Sequence, residues 1–318
     1  MRGSERQHHV GEPVRVQRVA LVRKKTALDA QARHPDAKLA RALASHDPIA
    51  DRVRLAHDEH QQCTATVEAE LRRAGVQVRI VDGFSRRDAQ WADLVVTVGG
   101  DGTFLRASHH VDAGIHGDGV PMLAVNSAVS SSVGWFCAAT ATDFAEVLGD
   151  VLAGRLRSRG LWRMQVRING RPLRDLALND VLLAHRVPAE TTRYELRLLG
   201  ATQDQRSSGI WISTPAGSTA AIRSAGGSVM DLEARALQFR VRELMGWAVQ
   251  GKPIAGGVFH DGLVAVSRMA TGMLYLDGNH RRVAFGFGDR IEFRCAERPM
   301  PWIAPRELDQ RRARAMAG

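Results

Sequence analysis

One turn restricts this chain more than any other feature. Leu94-Val95-Val96-Thr97-Val98 runs without a break into Gly99-Gly100-Asp101-Gly102-Thr103. A continuous apolar run bounded by glycines reads as a strand buried on both faces, the kind that parallel sheets use. Glycines at its end let the backbone turn sharply and approach a neighbour closely. Thr103 to Val111 then reads as a helix. The turn therefore sits at a helix N-terminus, whose free N–H groups and dipole favour an anion. Ligands of open α/β sheets bind at the carboxyl ends of the strands, and Asp101 is placed there. A carboxylate beside bound phosphates repels them unless it holds a metal or accepts a proton from a hydroxyl. The plain alternative is a β-turn with an Asp-Gly tip.

Around this turn, strand and helix alternate. Strands are expected at Arg18–Val22, Val76–Val81, Asp93–Val98 and Pro121–Val125. A helical pattern covers Asp36–Leu71, and Gly75 closes it. The chain of 318 residues exceeds what one core usually serves, so two domains are expected. The first, 17–140, reads as a doubly wound α/β domain with a mostly parallel sheet. The second, 141–298, opens with a helix at Ala141–Leu152, for which Thr142 is the expected N-cap. Short strand-like runs follow, Met164–Ile168, Tyr194–Leu199 and Leu237–Val241 among them, so this domain is β-rich. Residues 1–16 read as a disordered extension and 299–318 as a polar, Arg-rich tail.

Charge and cysteines narrow the partners. The net charge of +10 suggests anionic ligands. Basic residues are dispersed, however, and Arg23-Lys24-Lys25 is the only compact run, which argues against a specific nucleic-acid partner. No apolar stretch approaches the roughly 18 residues that span a bilayer, so no membrane partner is expected. The N-terminus lacks the apolar segment of a secretory signal, and its arginines give weak support to a transit peptide. Cys63, Cys137 and Cys295 are far apart and show no metal-binding spacing; reduced thiols and a cytoplasmic location are expected. His57 and His60 stand beside acidic residues on the helical segment and read as a solvated face rather than a metal site.

Two further segments carry chemistry. Ile212-Ser213-Thr214-Pro215-Ala216-Gly217-Ser218-Thr219-Ala220 is a strand ending in small hydroxyl residues that open a helix. Those hydroxyls either cap the helix or contact a ligand. In Leu176-Ala177-Leu178-Asn179-Asp180-Val181, a polar pair interrupts an apolar stretch. Buried polar groups need partners. An Asn can read an adenine edge, and a carboxylate can accept from two ribose hydroxyls; a turn between two strands is the alternative.

The Gly-Gly-Asp-Gly-Thr turn is shared by several kinases, including diacylglycerol kinases and 6-phosphofructokinases. Followed by Asn179-Asp180 and then by Thr214 to Ala220, it resembles the NAD kinase family. The resemblance covers roughly Arg18 to Arg294, including Trp91-Ala92-Asp93, Val125-Asn126, Ser224-Ala225-Gly226-Gly227 and Leu276-Asp277-Gly278. The long Asn126 to Phe136 segment, Ser207-Ser208-Gly209 and the charge-dense stretch from Lys24 to His60 are similar to the mitochondrial-type branch.

The resemblance implies an NAD kinase/diacylglycerol kinase-like fold and transfer of a phosphoryl group from ATP or polyphosphate to the 2′-hydroxyl of NAD's adenosine ribose. It implies Mg²⁺ or another divalent cation with the donor, and a homodimer. Asp101 becomes the catalytic or orienting carboxylate. Gly99, Gly100, Gly102 and Thr103 line the phosphate side. Arg23, Lys24 and Lys25, at the end of the first strand, either face the donor phosphates or form a solvated strand end. Asn126 supports the ligand loop, Asn179 contacts adenine, and Asp180 contacts the ribose. Ser208, Thr214, Ser218, Thr219, Ala220 and Ser224 contact the dinucleotide. Three positions depart from the family: Asp180 replaces a usual Glu, Ser208 a usual Asp, and Ala221 a frequent aromatic. Those departures motivate one competing reading, a sensor that binds NAD(H) or NADP(H) with little turnover. A lipid-type kinase sharing the turn is another.

Overall fold

The computed structural model describes residues 15–45, 47–113, 119–130, 132–260 and 262–317. The extension expected at 1–16 lies almost wholly outside them. The chain divides into two compact units. The first comprises Met1–Arg159 and Pro301–Arg311, and the second Gly160–Met300 and Arg312–Gly318. Among the described residues no helix is long and apolar enough to cross a membrane.

The first unit contains β1 (Arg18–Arg23), α1 (Ala27–Arg33), α2 (Ala37–Ala44), α3 (Pro48–Arg73), β2 (Gln77–Val81), α4 (Arg86–Trp91), β3 (Leu94–Gly99), α5 (Asp101–Ser108), β4 (Met122–Asn126), β5 (Cys137–Thr140) and α6 (Phe144–Leu152). The expected Asp36–Leu71 helix is two helices, α2 and α3. Asp36 caps the first through the Lys38 and Leu39 N–H groups. Pro48 starts the second, where its missing N–H costs nothing. The strands run in the order β2-β1-β3-β4, all parallel. Buried Asp93 aligns their starts by accepting from the Gln17 and Arg18 N–H groups at 3.0 and 2.9 Å.

Every residue of β3 is buried, as its apolar run requires. Val19, Leu21, Leu94, Val96, Leu123 and Val125 meet Val67 and Leu71 of α3 and Phe144, Val147 and Leu148 of α6. Each such side chain stabilises the unit by about 1.5–3 kcal/mol, and Leu71→Ala would cost about 2–5. This apolar face explains why α6, expected to open the second domain, belongs to the first. Its preceding residue is Asp143 rather than the expected Thr142.

After β6 (Ser158–Leu161) the second unit follows with β7 (Met164–Ile168), β8 (Arg171–Pro172), β9 (Asp180–His185), β10 (Thr192–Leu198), β11 (Ala201–Ser207), β12 (Gly209–Ser213), α7 (Ala221–Ser224), β13 (Leu237–Arg242), β14 (Gly256–Phe259), β15 (Leu263–Ser267), β16 (Gly272–Leu276), β17 (Arg281–Phe285) and β18 (Arg290–Cys295). These strands form two six-stranded antiparallel sheets, β11-β10-β15-β18-β7-β8 and β14-β13-β12-β9-β16-β17. Tyr194, Ala265, Ile291 and Phe293 of the first sheet share one core with Val181, Ile210, Phe239 and Leu274 of the second.

The chain then forms β19 (Met300–Ile303) and α8 (Leu308–Ala317). The segment expected as a polar tail is therefore ordered. Within the first unit, Trp302 of β19 pairs in parallel with Met122 of β4 and is 1% exposed. Burial of Trp302, Ile303 and Leu308 outweighs the polar composition around them.

Candidate active site

In the first unit, β1 is flanked by β2 on one side and β3 on the other, so the chain's winding reverses there. Such a reversal opens a crevice beyond the carboxyl ends of the strands. Arg23 ends β1 and Lys24-Lys25 follow it, Gly99 ends β3 and Gly100 to Thr103 follow it, and Asn126 ends β4. Backbone hydrogen bonds tie these ends together: Lys24 N–H donates to Val98 O at 3.0 Å, and Ser127 N–H to Gly99 O at 3.2 Å.

The glycines of the turn differ in purpose. A Cβ on Gly99 would collide with the Thr103 side chain, and one on Gly100 would lie 2.5 Å from Ser132 Oγ. Both are required by the chain's own packing. A Cβ on Gly102 would meet nothing within 4 Å, so the first turn of α5 faces open space there.

Asp101 is the first residue of α5. Its Oδ2 accepts from Trp135 N–H and its Oδ1 from Phe136 N–H, each at 2.9 Å. The carboxylate thus has a structural task that the sequence did not reveal. A carboxylate offers about four lone-pair sites, so each oxygen can still accept once more. Asn126 staples the loop that supplies these amides: its Nδ2 donates to Ser132 O at 3.0 Å, and its Oδ1 accepts from Ala128 N–H at 3.2 Å.

At the end of β1 lies a cavity of about 80 Å³, lined by Lys24, Lys25, Arg33 and His60 and also by the carboxylates of Asp29 and Asp82. Arg23, expected to face donor phosphates, lines the same cavity and is paired with Asp82: Nη2 lies 2.6 Å from Oδ1. Lys24 and Lys25 are exposed, and neither forms an ion pair among the described residues. His57 and His60, expected on a solvated face, point inward. His57 Nδ1 lies 2.7 Å from Thr26 Oγ1, and buried His60 Nδ1 lies 2.9 Å from Ser127 Oγ. Burial, then the Lys24 charge, holds the His60 imidazole below its ordinary value, so it is neutral.

The second unit arranges its polar residues differently. Asp277, known from the sequence only as part of a shared motif, organises them. Its carboxylate accepts from the N–H groups of Leu178, Asn179 and Asp180 at 2.8, 2.7 and 3.1 Å. Burial pushes Asp277 up to about 6, while those three donors pull it down. Burial, then the Asp277 charge, pushes Asp180 up to about 7. Asp277 is the better-stabilised anion, so Asp180 is the member that carries a proton near neutrality. Asn179 Oδ1 is buried and has no hydrogen-bond partner among the described residues, so it can accept from a donor outside the chain.

Thr214 and Ser218 were expected to touch a dinucleotide. Both are 0% exposed. The Thr214 hydroxyl donates to Leu178 O, and Ser218 Oγ donates to Pro215 O at 2.7 Å and accepts from Met230 N–H at 3.0 Å. Their hydroxyls are satisfied within the chain and hold the loop in place. Thr219 and Ala220 remain partly exposed and Ser224 is exposed, so these three stay available to a ligand. Ser208 stands apart from that loop. Its N–H donates to Arg242 O at 3.0 Å, and it borders a cavity of about 330 Å³ shared with Leu182, Trp211, Arg242 and Tyr275. Among the described residues no cluster of three or more His, Cys, Asp or Glu side chains is placed to hold a metal ion.

A family model described as the ATP-NAD kinase N-terminal domain matches residues 22–156. A probable NADH kinase of Oryza sativa subsp. japonica is 36% identical over 239 residues, 68% of this chain and 72% of that protein. An NADH kinase of Arabidopsis thaliana is 38% identical over 223 residues, 63% of this chain and 69% of that one. Among solved structures, an NAD kinase from Archaeoglobus fulgidus in complex with ATP superposes with a TM-score of 0.68 at 21% identity. That alignment covers 95% of this chain and 99% of the archaeal one, a likeness of fold.

Proposed function

The chain belongs to the NAD kinase family, and on that premise we propose that it transfers the γ-phosphoryl group of ATP to the 2′-hydroxyl of the adenosine ribose of NAD, giving NADP. One observation carries the assignment of the centre. Asp101 is fixed by two amides at the carboxyl end of β3, beside the open face of Gly102.

Phosphoryl transfer demands positioning and charge neutralisation more than covalent chemistry. The Asp101 carboxylate accepts the proton of the 2′-hydroxyl as the oxygen attacks phosphorus in line, and ADP leaves. Fixed by the loop, the carboxylate cannot swing away, so the hydroxyl is held in one orientation. Lys24 and Lys25 lie one strand away, without ion-pair partners among the described residues, and neutralise donor phosphate charge. Gly99, Gly100 and Thr103 shape the turn; Gly102 leaves room for the donor phosphates. Asn179 reads adenine with its free Oδ1, and Asp180 accepts from ribose hydroxyls when ionised. A divalent cation such as Mg²⁺ accompanying the donor would be held mainly by phosphate oxygens and water and would offset charge on the transferred group.

The reading includes polyphosphate as an alternative donor, NADH as an alternative acceptor in view of the two plant relatives, and a cytoplasmic homodimer. The test is product formation by purified protein with NAD or NADH, ATP or polyphosphate, and Mg²⁺, beside a diacylglycerol acceptor; light scattering gives the oligomeric state. A 2′-phosphorylated dinucleotide supports the kinase. Dinucleotide binding without product supports the sensor, and phosphorylated lipid supports the lipid kinase.

A further inference from the structure

The loop that fixes Asp101 is itself fixed from the far end of the chain. Arg311 is on α8. Its Nη1 donates to Gly134 O at 2.8 Å, to Trp135 O at 3.3 Å and to Cys137 O at 3.1 Å. The fourth carbonyl of this stretch, Phe136 O, accepts from Trp302 Nε1 at 3.0 Å. Four consecutive carbonyls are thus held by two side chains from the segment that rejoins the first unit after Pro301. Phe136 is wedged between Phe104 and Trp302, with ring centroids 4.9 and 5.9 Å away.

The pairing of these contacts is specific. Gly134 C=O and Trp135 N–H belong to one peptide group, and Trp135 C=O and Phe136 N–H to the next. Each group accepts from the Arg311 guanidinium at one end and donates to the Asp101 carboxylate at the other. A cation on a carbonyl oxygen draws electron density from the peptide and makes its N–H a stronger donor, so such chains reinforce one another. Only Nη1 reaches the loop; Nη2 pairs with Glu307, which braces the planar group, so Nη1 sets the tilt of both peptide planes and thereby where the two N–H groups point.

We propose that Arg311 is a positioning residue for phosphoryl transfer, acting on the Asp101 carboxylate through two peptide groups. The proposal rests on the reading of Asp101 given above. Arg311 touches neither substrate; it controls the orientation and charge environment of the group that does. A misplacement of about 1 Å at a reacting group costs on the order of 10²-fold in rate.

The experiment compares Arg311→Met, Arg311→Lys, Asp101→Asn and Arg306→Met in the full chain, at a temperature where all are folded. Arg306 lies on the same segment but pairs with the surface carboxylates of Glu146 and Asp150, so it controls for loosening alone. The expected result is a kcat lower by about 10²-fold in Arg311→Met, with KM for NAD and ATP nearly unchanged. Arg311→Lys keeps the charge but not the planar group braced by Glu307, and recovers about a tenth of wild-type kcat. Arg306→Met keeps its kcat. Amide exchange at Trp135 and Phe136 speeds up in Arg311→Met only. Wild-type-like kcat in Arg311→Met beside an inactive Asp101→Asn would overturn the inference and leave the reading of Asp101 intact. A loss carried by KM, or matched by Arg306→Met, would reduce Arg311 to a structural brace and also overturn it. Full turnover in both Arg311→Met and Asp101→Asn would remove the reading of Asp101 and this inference with it.

Discussion

At the Gly99–Thr103 turn the chain leaves groups available, whereas at the Thr214–Ala220 turn it satisfies most of them internally. The first turn has open space over Gly102 and two exposed lysines nearby that form no ion pair among the described residues. The second buries Thr214 and Ser218 completely and closes their hydroxyls onto Leu178 O, Pro215 O and Met230 N–H. Both are small-residue turns after a buried strand, and composition does not separate them. The difference lies in what the surrounding chain supplies. A loop of successive amides reaches Asp101 from outside its own turn, while the second turn finds its acceptors in the adjacent Leu178–Asn179 backbone. Asn179 Oδ1, which has no partner among the described residues, the partly exposed Thr219 and Ala220 and the exposed Ser224 leave a ligand something to meet.

The contrast breaks if the two turns respond alike to substitution. The largest effect is expected at Asp101. Asp101→Asn removes the proton acceptor but keeps one oxygen for a loop amide, so kcat should fall by about 10²- to 10⁴-fold with modest loss of stability. Steady-state kinetics and a thermal melt check both halves. In the second unit the largest effect is on stability. Asp277→Ala leaves the Leu178, Asn179 and Asp180 N–H groups without their acceptor, at about 1–3 kcal/mol each. Denaturant unfolding should show a loss of several kcal/mol.

Thr214→Val keeps the shape and removes the hydroxyl. It should lower stability by about 1–3 kcal/mol and leave KM for NAD unchanged in the folded fraction. A large rise in KM without loss of stability would mean that the hydroxyl faces ligand after all.

Asp180 sharpens the contrast through pH. Its raised value means that ionisation opposes folding. That penalty is absent below the ordinary carboxylate range near about 4 and grows until the pH passes about 7. Asp180→Asn should therefore melt a few degrees higher than wild type at pH 8, with the gap closing toward pH 4. Its KM for NAD should rise at pH 8, where the wild-type carboxylate is ionised. The smallest effect on stability is at Gly102. The Cβ of Gly102→Ala meets nothing within 4 Å among the described residues beyond its own helix turn, and the substitution gains about 0.5–1 kcal/mol of helix preference. A loss of kcat/KM in a variant that is no less stable would place substrate at that open face.

The strand-turn-helix at residues 94–108 was legible because its signals agree: an apolar run, glycines, then a helical pattern. The strands of the second unit were legible from short alternating runs between turn residues. What was hidden depends on contacts remote in sequence. Arg311 meets Gly134 across 177 positions, and nothing in an Arg-rich tail separates that arginine from Arg306 or Arg314. The four-residue strand around Trp302 carries a proline and too few residues to show a period. Hydroxyl side chains are ambiguous for a different reason: a Thr or Ser that caps a loop and one that holds a ligand obey the same chemistry, and only burial tells Thr214 from Thr219.

The central claim is that the Asp101 turn is where phosphoryl transfer occurs. Its most direct test is a single-turnover measurement of label transfer from γ-labelled ATP to NAD by wild type and Asp101→Asn, with NAD affinity measured in parallel. The account predicts labelled NADP from the wild type and almost none from the variant, at similar NAD affinity. Transfer by Asp101→Asn at close to the wild-type rate would contradict it.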